Sequence, residues 1–319
     1  MKRALLAVLG RRRVVIALQL GLAALIVGFL AYAVRGTWGD AWPRLREASP
    51  LDLLAALAVL AAYYLLFVFG WQWILAAGGI RVSYGVALQA EMASMLAKYV
   101  PGTVWTPLAR ILWLRRVAGE KRTSYVLASI LLEAGLSAVA GVLVFVVALA
   151  WVPSVDAPLL PLVGFAAVVA LLLHPRVFGA LARWIFGRFG AAEPPRLRWR
   201  TLIGLLLYYA LTWLVGGVAL WFLLRSVGAA PDPESIPYLG GTAAVGAIVA
   251  VLSIFAPSGL GVREASMYAL LLAVTVEGAA LGVTLLNRIA ITVVEALLLG
   301  GGIVAWGRRG TAIATREPG

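Results

Sequence analysis

The chain of 319 residues has no cysteine, a single histidine and only 14 acidic residues. Without cysteine there is no disulfide, no thiolate nucleophile and no Cys-ligated metal. The one histidine, His174, ends an apolar stretch beside Pro175. An imidazole with no second histidine does not make a zinc site, so no metal is expected. No Walker-type phosphate loop is present, which argues against ATP hydrolysis by this chain. Charged residues are 13% of the chain, about half the share usual in soluble domains.

What is abundant is apolar: 63% hydrophobic residues, a mean hydropathy of +0.97, 12 Trp and 34 Gly. A water-soluble globule of this composition lacks the polar residues to cover its surface. A soluble enzyme, a disordered chain and a nucleic-acid module are therefore excluded, despite a net charge of +13. The composition predicts an all-α, polytopic membrane helix bundle, with residues 1–319 forming one integral membrane domain. A span needs roughly 20 residues to cross about 30 Å of hydrocarbon. Apolar runs predict six spans, at about 14–34, 51–77, 124–151, 159–173, 201–224 and 279–305. Lys2, Arg3 and Arg11 to Arg13 mimic a signal peptide, but the run that follows is too long and lacks a clear cleavage site. Residues 35–50 read as a polar loop, and 178–189 as an amphipathic helix at the interface.

Two stretches do not fit simple spans. Residues 82–114 carry Gln89, Glu91 and Lys98, break at Pro101-Gly102 and resume at Thr106-Pro107. Thr before Pro fits an N-cap and a first helical position, and the eight residues that follow are too few to cross. Residues 238–276 repeat the pattern, with a break over Pro257, Ser258, Gly259, Leu260 and Gly261 and a restart at Val262. Both read as re-entrant helical hairpins. Each is followed by a span, giving repeat units of about 82–151 and 236–305. Three spans separate the hairpins, so the second unit is inverted relative to the first. That is the plan of secondary transporters, in which broken helices meet near the midplane.

With both termini in the cytoplasm of a cell membrane, 19 of the 27 basic residues fall inside, four outside and four within the membrane. This agrees with the positive-inside rule. Eight charges lie in or beside apolar segments: Glu91, Lys98, Arg110, Glu133, Arg263, Glu264, Arg288 and Glu295. Each costs at least about 2.5–3.5 kcal/mol at the bilayer centre. They serve either as ion pairs that lock the bundle or as a polar pathway. Glu91 and Lys98 are seven apart, as are Arg288 and Glu295, so each pair shares a helix face without touching. Two half-helix starts, near Thr106 and Gly261, offer free amides beside Arg110 and Arg263, an arrangement suited to an anion such as phosphate.

The segment Lys98-Tyr99-Val100-Pro101-Gly102-Thr103-Val104-Trp105-Thr106-Pro107-Leu108-Ala109-Arg110, the later Glu133 and the run Ala256-Pro257-Ser258-Gly259-Leu260-Gly261-Val262-Arg263-Glu264 resemble the lysylphosphatidylglycerol synthase transmembrane-region family. Its members are also described as flippase-like integral membrane proteins. The resemblance covers most of the chain. In fused members the membrane region moves aminoacylated phosphatidylglycerol outward, and a separate cytoplasmic domain makes that lipid. Here only a short Arg-containing tail follows the last span, so synthase activity is not expected. The resemblance implies lipid translocation, with the cargo left open; on that reading Lys98, Arg110, Arg263 and Arg288 would receive a lipid phosphate. Glu133 and Glu264 would balance these charges in the empty site or carry protons. The expected partners are phosphate-containing membrane lipids; no cofactor and no nucleic acid are implied. A different reading is a scaffold for a lipid-modifying glycosyltransferase or synthase, with Gly241 to Gly246 and Gly300 to Gly302 as packing faces. A third, a membrane enzyme, would need carboxylates alone as acid and base, since no Ser/His, Cys/His or metal cluster is visible.

Overall fold

The computed structural model describes residues 35–97, 105–149, 197–253 and 261–314, with some isolated positions between them. The spans read at 14–34 and 159–173, the helix read at 178–189, Lys98, and the break residues Pro101, Gly102, Pro257 and Gly259 lie outside the described residues. All the regular structure among the described residues is helical. In chain order it comprises α1 (Trp38–Arg46), α2 (Pro50–Ala77), α3 (Tyr84–Ala97), α4 (Trp105–Val117), α5 (Thr123–Ala148), α6 (Trp199–Ser226), a 3-10 turn (Pro233–Ser235), α7 (Ile236–Leu252), α8 (Val262–Leu271) and α9 (Glu277–Ala314).

Helices α2, α5, α6 and α9 each have a stretch long and apolar enough to cross a membrane. They match the four described spans read from the sequence. At 1.5 Å per residue the 28 residues of α2 reach about 42 Å. The start of α2 is set by Ser49, whose hydroxyl accepts from the Asp52 amide at 3.4 Å, with Pro50 in the first turn. Leu51, Leu54, Leu65 and Phe69 stay exposed on α2, as a surface in contact with lipid requires.

The hairpin segments are shorter. Helices α3, α4 and α8 have 14, 13 and 10 residues, about 21, 20 and 15 Å, against roughly 30 Å of hydrocarbon. Helices α3 and α4 pack side by side, as do α7 and α8. Helix α7 differs from expectation in length. With the 3-10 turn it makes a continuous stretch of 20 residues, long and apolar enough for a full span. Trp105 and Thr106 are both helical, so Thr106 lies within α4 instead of at its cap. The 35–50 stretch is not only loop. It holds α1, which packs along α9 and exposes Trp38 and Trp42 as a stacked pair. Between α4 and α5, Arg122 bonds Glu120 and the Gly79 carbonyl, and it holds the Glu120 carboxyl below the usual carboxylate range.

The helix neighbours follow a rule. Exchange α2, α3, α4 and α5 for α6, α7, α8 and α9, respectively. The pairs α2·α3, α3·α4, α4·α5, α2·α5, α2·α9 and α3·α9 become α6·α7, α7·α8, α8·α9, α6·α9, α5·α6 and α5·α7, and every one is a packed pair. The pair α2·α6 maps onto itself and is the most extensive contact in the bundle. Close approach at α6–α7 depends on glycine. A Cβ at Gly240 would meet the Trp213 carbonyl at 2.5 Å, and one at Gly217 would meet the Gly240 nitrogen at 2.7 Å. Gly241 and Gly246 are likewise filled from within, by Phe145 and Met267. Of the glycines read as packing faces, Gly300 and Gly301 have open space around them.

Candidate functional site

Two charged groups sit inside the bundle. The first is built around Arg110 of α4, which is buried. Its guanidinium pairs with Glu133 of α5 at 2.5 Å and with Glu91 of α3, both also buried. Its Nε points to the Ser94 hydroxyl at 3.4 Å. The indole of Trp71 lies 4.7 Å beneath it and donates to Ser129 at 3.0 Å. The planar fork of arginine suits this double contact, since it can meet two carboxylates at once. Sequence placed Arg110 and Glu133 in the site but gave no sign that Glu91 joins them.

The second group belongs to the opposite hairpin. Gly261 adopts φ +84, a conformation that favours glycine, and caps α8. Glu264 accepts from the Gly261 amide at 2.7 Å, and its carboxylate lies 3.5 Å from Arg288 of α9. The Glu264 carboxylate therefore takes up the cap amide at the start of α8, one of the donors there. Arg263 and Glu264 point in different directions, as adjacent helical residues must.

Between the two groups lies a cavity of about 160 Å³. Glu91 lines it from the first hairpin and Arg263 from the second. Tyr63, Tyr64 and Phe67 of α2, Trp213 of α6 and Asn287 of α9 complete much of the wall. Tyr64 also donates to Glu295 at 2.7 Å. The Arg263 Nε is buried and has no hydrogen-bond partner among the described residues. Arg110 and Arg288 both have carboxylate partners; among the described residues no carboxylate pairs with Arg263.

The structure thus separates residues that the sequence grouped together. Arg263 lines the cavity. Arg110 and Glu133 form a lock behind Glu91, and Arg288 and Glu264 form a pair at the second hairpin. Sequence reasoning missed the aromatic wall, because Tyr63, Tyr64 and Phe67 sit in an ordinary apolar run with no motif around them. Among the described residues no cluster of His, Cys, Asp or Glu is arranged to hold a metal.

An all-helical bundle with spanning helices and a charged internal cavity defines a polytopic integral membrane protein. Residues 16–300 match the family model described as lysylphosphatidylglycerol synthase TM region. The chain belongs to that family, which links it to lipid synthesis or flipping at a membrane. Comparison with curated proteins returns no match.

Proposed function

We propose that this protein moves a phosphate-containing lipid between leaflets by passing the headgroup through the central cavity. The observation that carries the proposal is Arg263: a cavity-lining guanidinium whose buried Nε has no hydrogen-bond partner among the described residues. A guanidinium is a natural receptor for phosphate, and the surrounding helices exclude the lipid tails from it. The exchange rule among the helices supports an inverted repeat, with one hairpin entering from each side and the cavity at their meeting point. Both termini lie in the cytoplasm, and the membrane is the cell membrane. The cargo is a phospholipid, an aminoacylated lipid or a polyprenyl-phosphate-linked sugar. No covalent chemistry is required of the protein.

The scaffold reading has less support. The Gly241 to Gly246 face it needs is occupied by the protein's own Phe145 and Met267. The test is lipid transfer in proteoliposomes carrying fluorescent phospholipids or a polyprenyl-phosphate analogue. Arg263→Ala should abolish transfer with no loss of folded protein, and Arg263→Lys should retain part of it. Transfer that is unchanged in Arg263→Ala overturns the site.

A further inference from the structure

We infer that the central cavity selects a small zwitterionic headgroup, its phosphate at Arg263 and its ammonium between Glu91 and the aromatic wall, the chemistry that phosphatidylethanolamine presents. Transfer of that lipid rests on the reading above; its binding does not.

The lining sets the charge of the guest. Among the described residues around the cavity, Glu91 and Arg263 are the charged ones, one of each sign. They come from opposite hairpins, and no ion pair among the described residues joins them. A lone anion drawn to Arg263 also meets the Glu91 carboxylate, which repels it. A lone cation drawn to Glu91 meets Arg263 in the same way. A guest that carries both charges answers both residues and brings no net charge into the membrane interior.

The wall sets the kind of cation. Tyr63 and Phe67 are four apart on α2 and share a face. Their rings lie 5.9 Å apart, and Trp213 of α6 lies 5.7 Å from Tyr63. With Tyr64, these rings line the cavity. The polar ends of two of them are already spent, since Tyr64 donates to Glu295 and Trp213 to the Ser137 carbonyl. What these two offer the cavity is ring surface. An aromatic face attracts an ammonium, most strongly where water is excluded, and gives no such attraction to the glycerol hydroxyls of phosphatidylglycerol.

The volume sets the size. About 160 Å³ is the space of roughly five waters at about 30 Å³ each. It is well below the roughly 300 Å³ at which sites for drug-sized ligands begin. A phosphate joined to an ammonium by an ethyl link suits that space. An aminoacylated phosphatidylglycerol adds a glycerol and an amino acid, and a sugar phosphate adds a ring, so these overfill it.

The test measures binding and transfer separately, with the full chain. Binding is read by calorimetry in micelles with dihexanoyl phosphatidylethanolamine, its N-acetylated form and dihexanoyl phosphatidylglycerol. All three carry the phosphate, and only the first keeps the ammonium. It should bind about tenfold more tightly than the other two, as a desolvated ammonium–ring contact allows. A Tyr63→Leu, Phe67→Leu double variant should lose most of that preference, and Tyr63→Phe, which keeps the ring, should retain it. Because the preference is read in the unmutated protein, a variant that fails to fold does not decide the result. Transfer is read in proteoliposomes with the same headgroups on chain-labelled lipids, and with lysyl-phosphatidylglycerol, which has ammonium groups but exceeds the cavity. The ethanolamine lipid should move about tenfold faster than each of the others. Equal binding of the three lipids, or none, overturns the zwitterion site. An unchanged preference in the folded double variant overturns the role of the rings, and equal transfer of lysyl-phosphatidylglycerol overturns the size limit. Selective binding of the ethanolamine lipid with no transfer of any lipid upholds the site and overturns the lipid-transfer reading.

Discussion

Replacing Arg110 with methionine isolates what the buried trio contributes to the fold. Methionine keeps much of the stem's volume and removes only the guanidinium. Two buried carboxylates, Glu91 and Glu133, then lose their shared cation. Breaking a buried ion pair from one side costs roughly 3–5 kcal/mol. Loss of the guanidinium at 4.7 Å from the Trp71 ring adds about 0.5–2 kcal/mol. The single variant should therefore lose on the order of 3.5–7 kcal/mol by these two terms. A triple variant, Arg110→Met with Glu91→Gln and Glu133→Gln, removes the uncompensated charges. It should recover to within about 2 kcal/mol of wild type, the part due to packing and the lost indole contact. The assay is equilibrium unfolding in mixed micelles, followed by tryptophan fluorescence, with Trp71 as a local reporter. A single variant as stable as wild type refutes the idea that the trio locks α3, α4 and α5 together. A triple variant as unstable as the single one shows that the cost is steric and not electrostatic.

Three other outcomes test the packing and the topology. Gly217→Ala drives a methyl group into the Ile236 carbonyl and the Gly240 backbone, and it should cost about 1–3 kcal/mol in the same unfolding assay. Gly300→Ala, in open space on α9, should be neutral or gain up to about 1 kcal/mol from helix propensity. The absence of native cysteine allows single-site labelling with no background. In intact cells, a cysteine at Arg225 should react with an impermeant maleimide and one at Arg116 should not. The reverse pattern overturns the assigned orientation.

Much of the fold was legible because its signal is length. An apolar run of 20 or more residues has few interpretations, and the described spans fall where the runs are. The breaks read at Pro101 and Pro257 lie outside the described residues, but the short helices α4 and α8 that follow them were legible for a similar reason, since proline and glycine disfavour a continuous helix. Helix α1 was missed because its nine residues carry Asp40, Arg44, Arg46 and Pro43, which read as a loop when no partner is in view. Its packing against α9 supplies what its composition lacks. The partners of the buried charges were not legible for a different reason. Glu91, Arg110 and Glu133 lie on three helices, and helical periodicity orders residues only along one. The glycines pose the same problem: whether Gly241 faces a partner or Phe145 depends on which helix arrives, and the sequence around it is alike in both cases.

The two halves of the bundle use the exchanged helix pairs for different chemistry. In the first half, Arg110 of α4 pairs with Glu133 of α5. Where the exchanged helices α8 and α9 approach each other, the facing residues include Met267 and Asn287. These two touch, with the Asn287 amide 3.6 Å from the Met267 sulfur. An ion pair at the first hairpin thus becomes a weak neutral contact at the second. Buried charge fixes a geometry, whereas a methionine adapts to several. On the proposed lipid reading, the first hairpin would be the fixed wall of the cavity, and the second, with Arg263 one turn before Met267, the part that moves during passage. The double replacement Met267→Arg with Asn287→Glu copies the first ion pair into the second half. The protein should remain folded, bind the headgroup and lose transfer by tenfold or more, an effect of about 1.4 kcal/mol on the moving step. Asn287→Glu alone leaves a carboxylate without its new partner, so it should lower stability, and Met267→Arg should rescue it. Transfer at the wild-type rate in a stably folded double variant would show that the second hairpin need not yield at this contact.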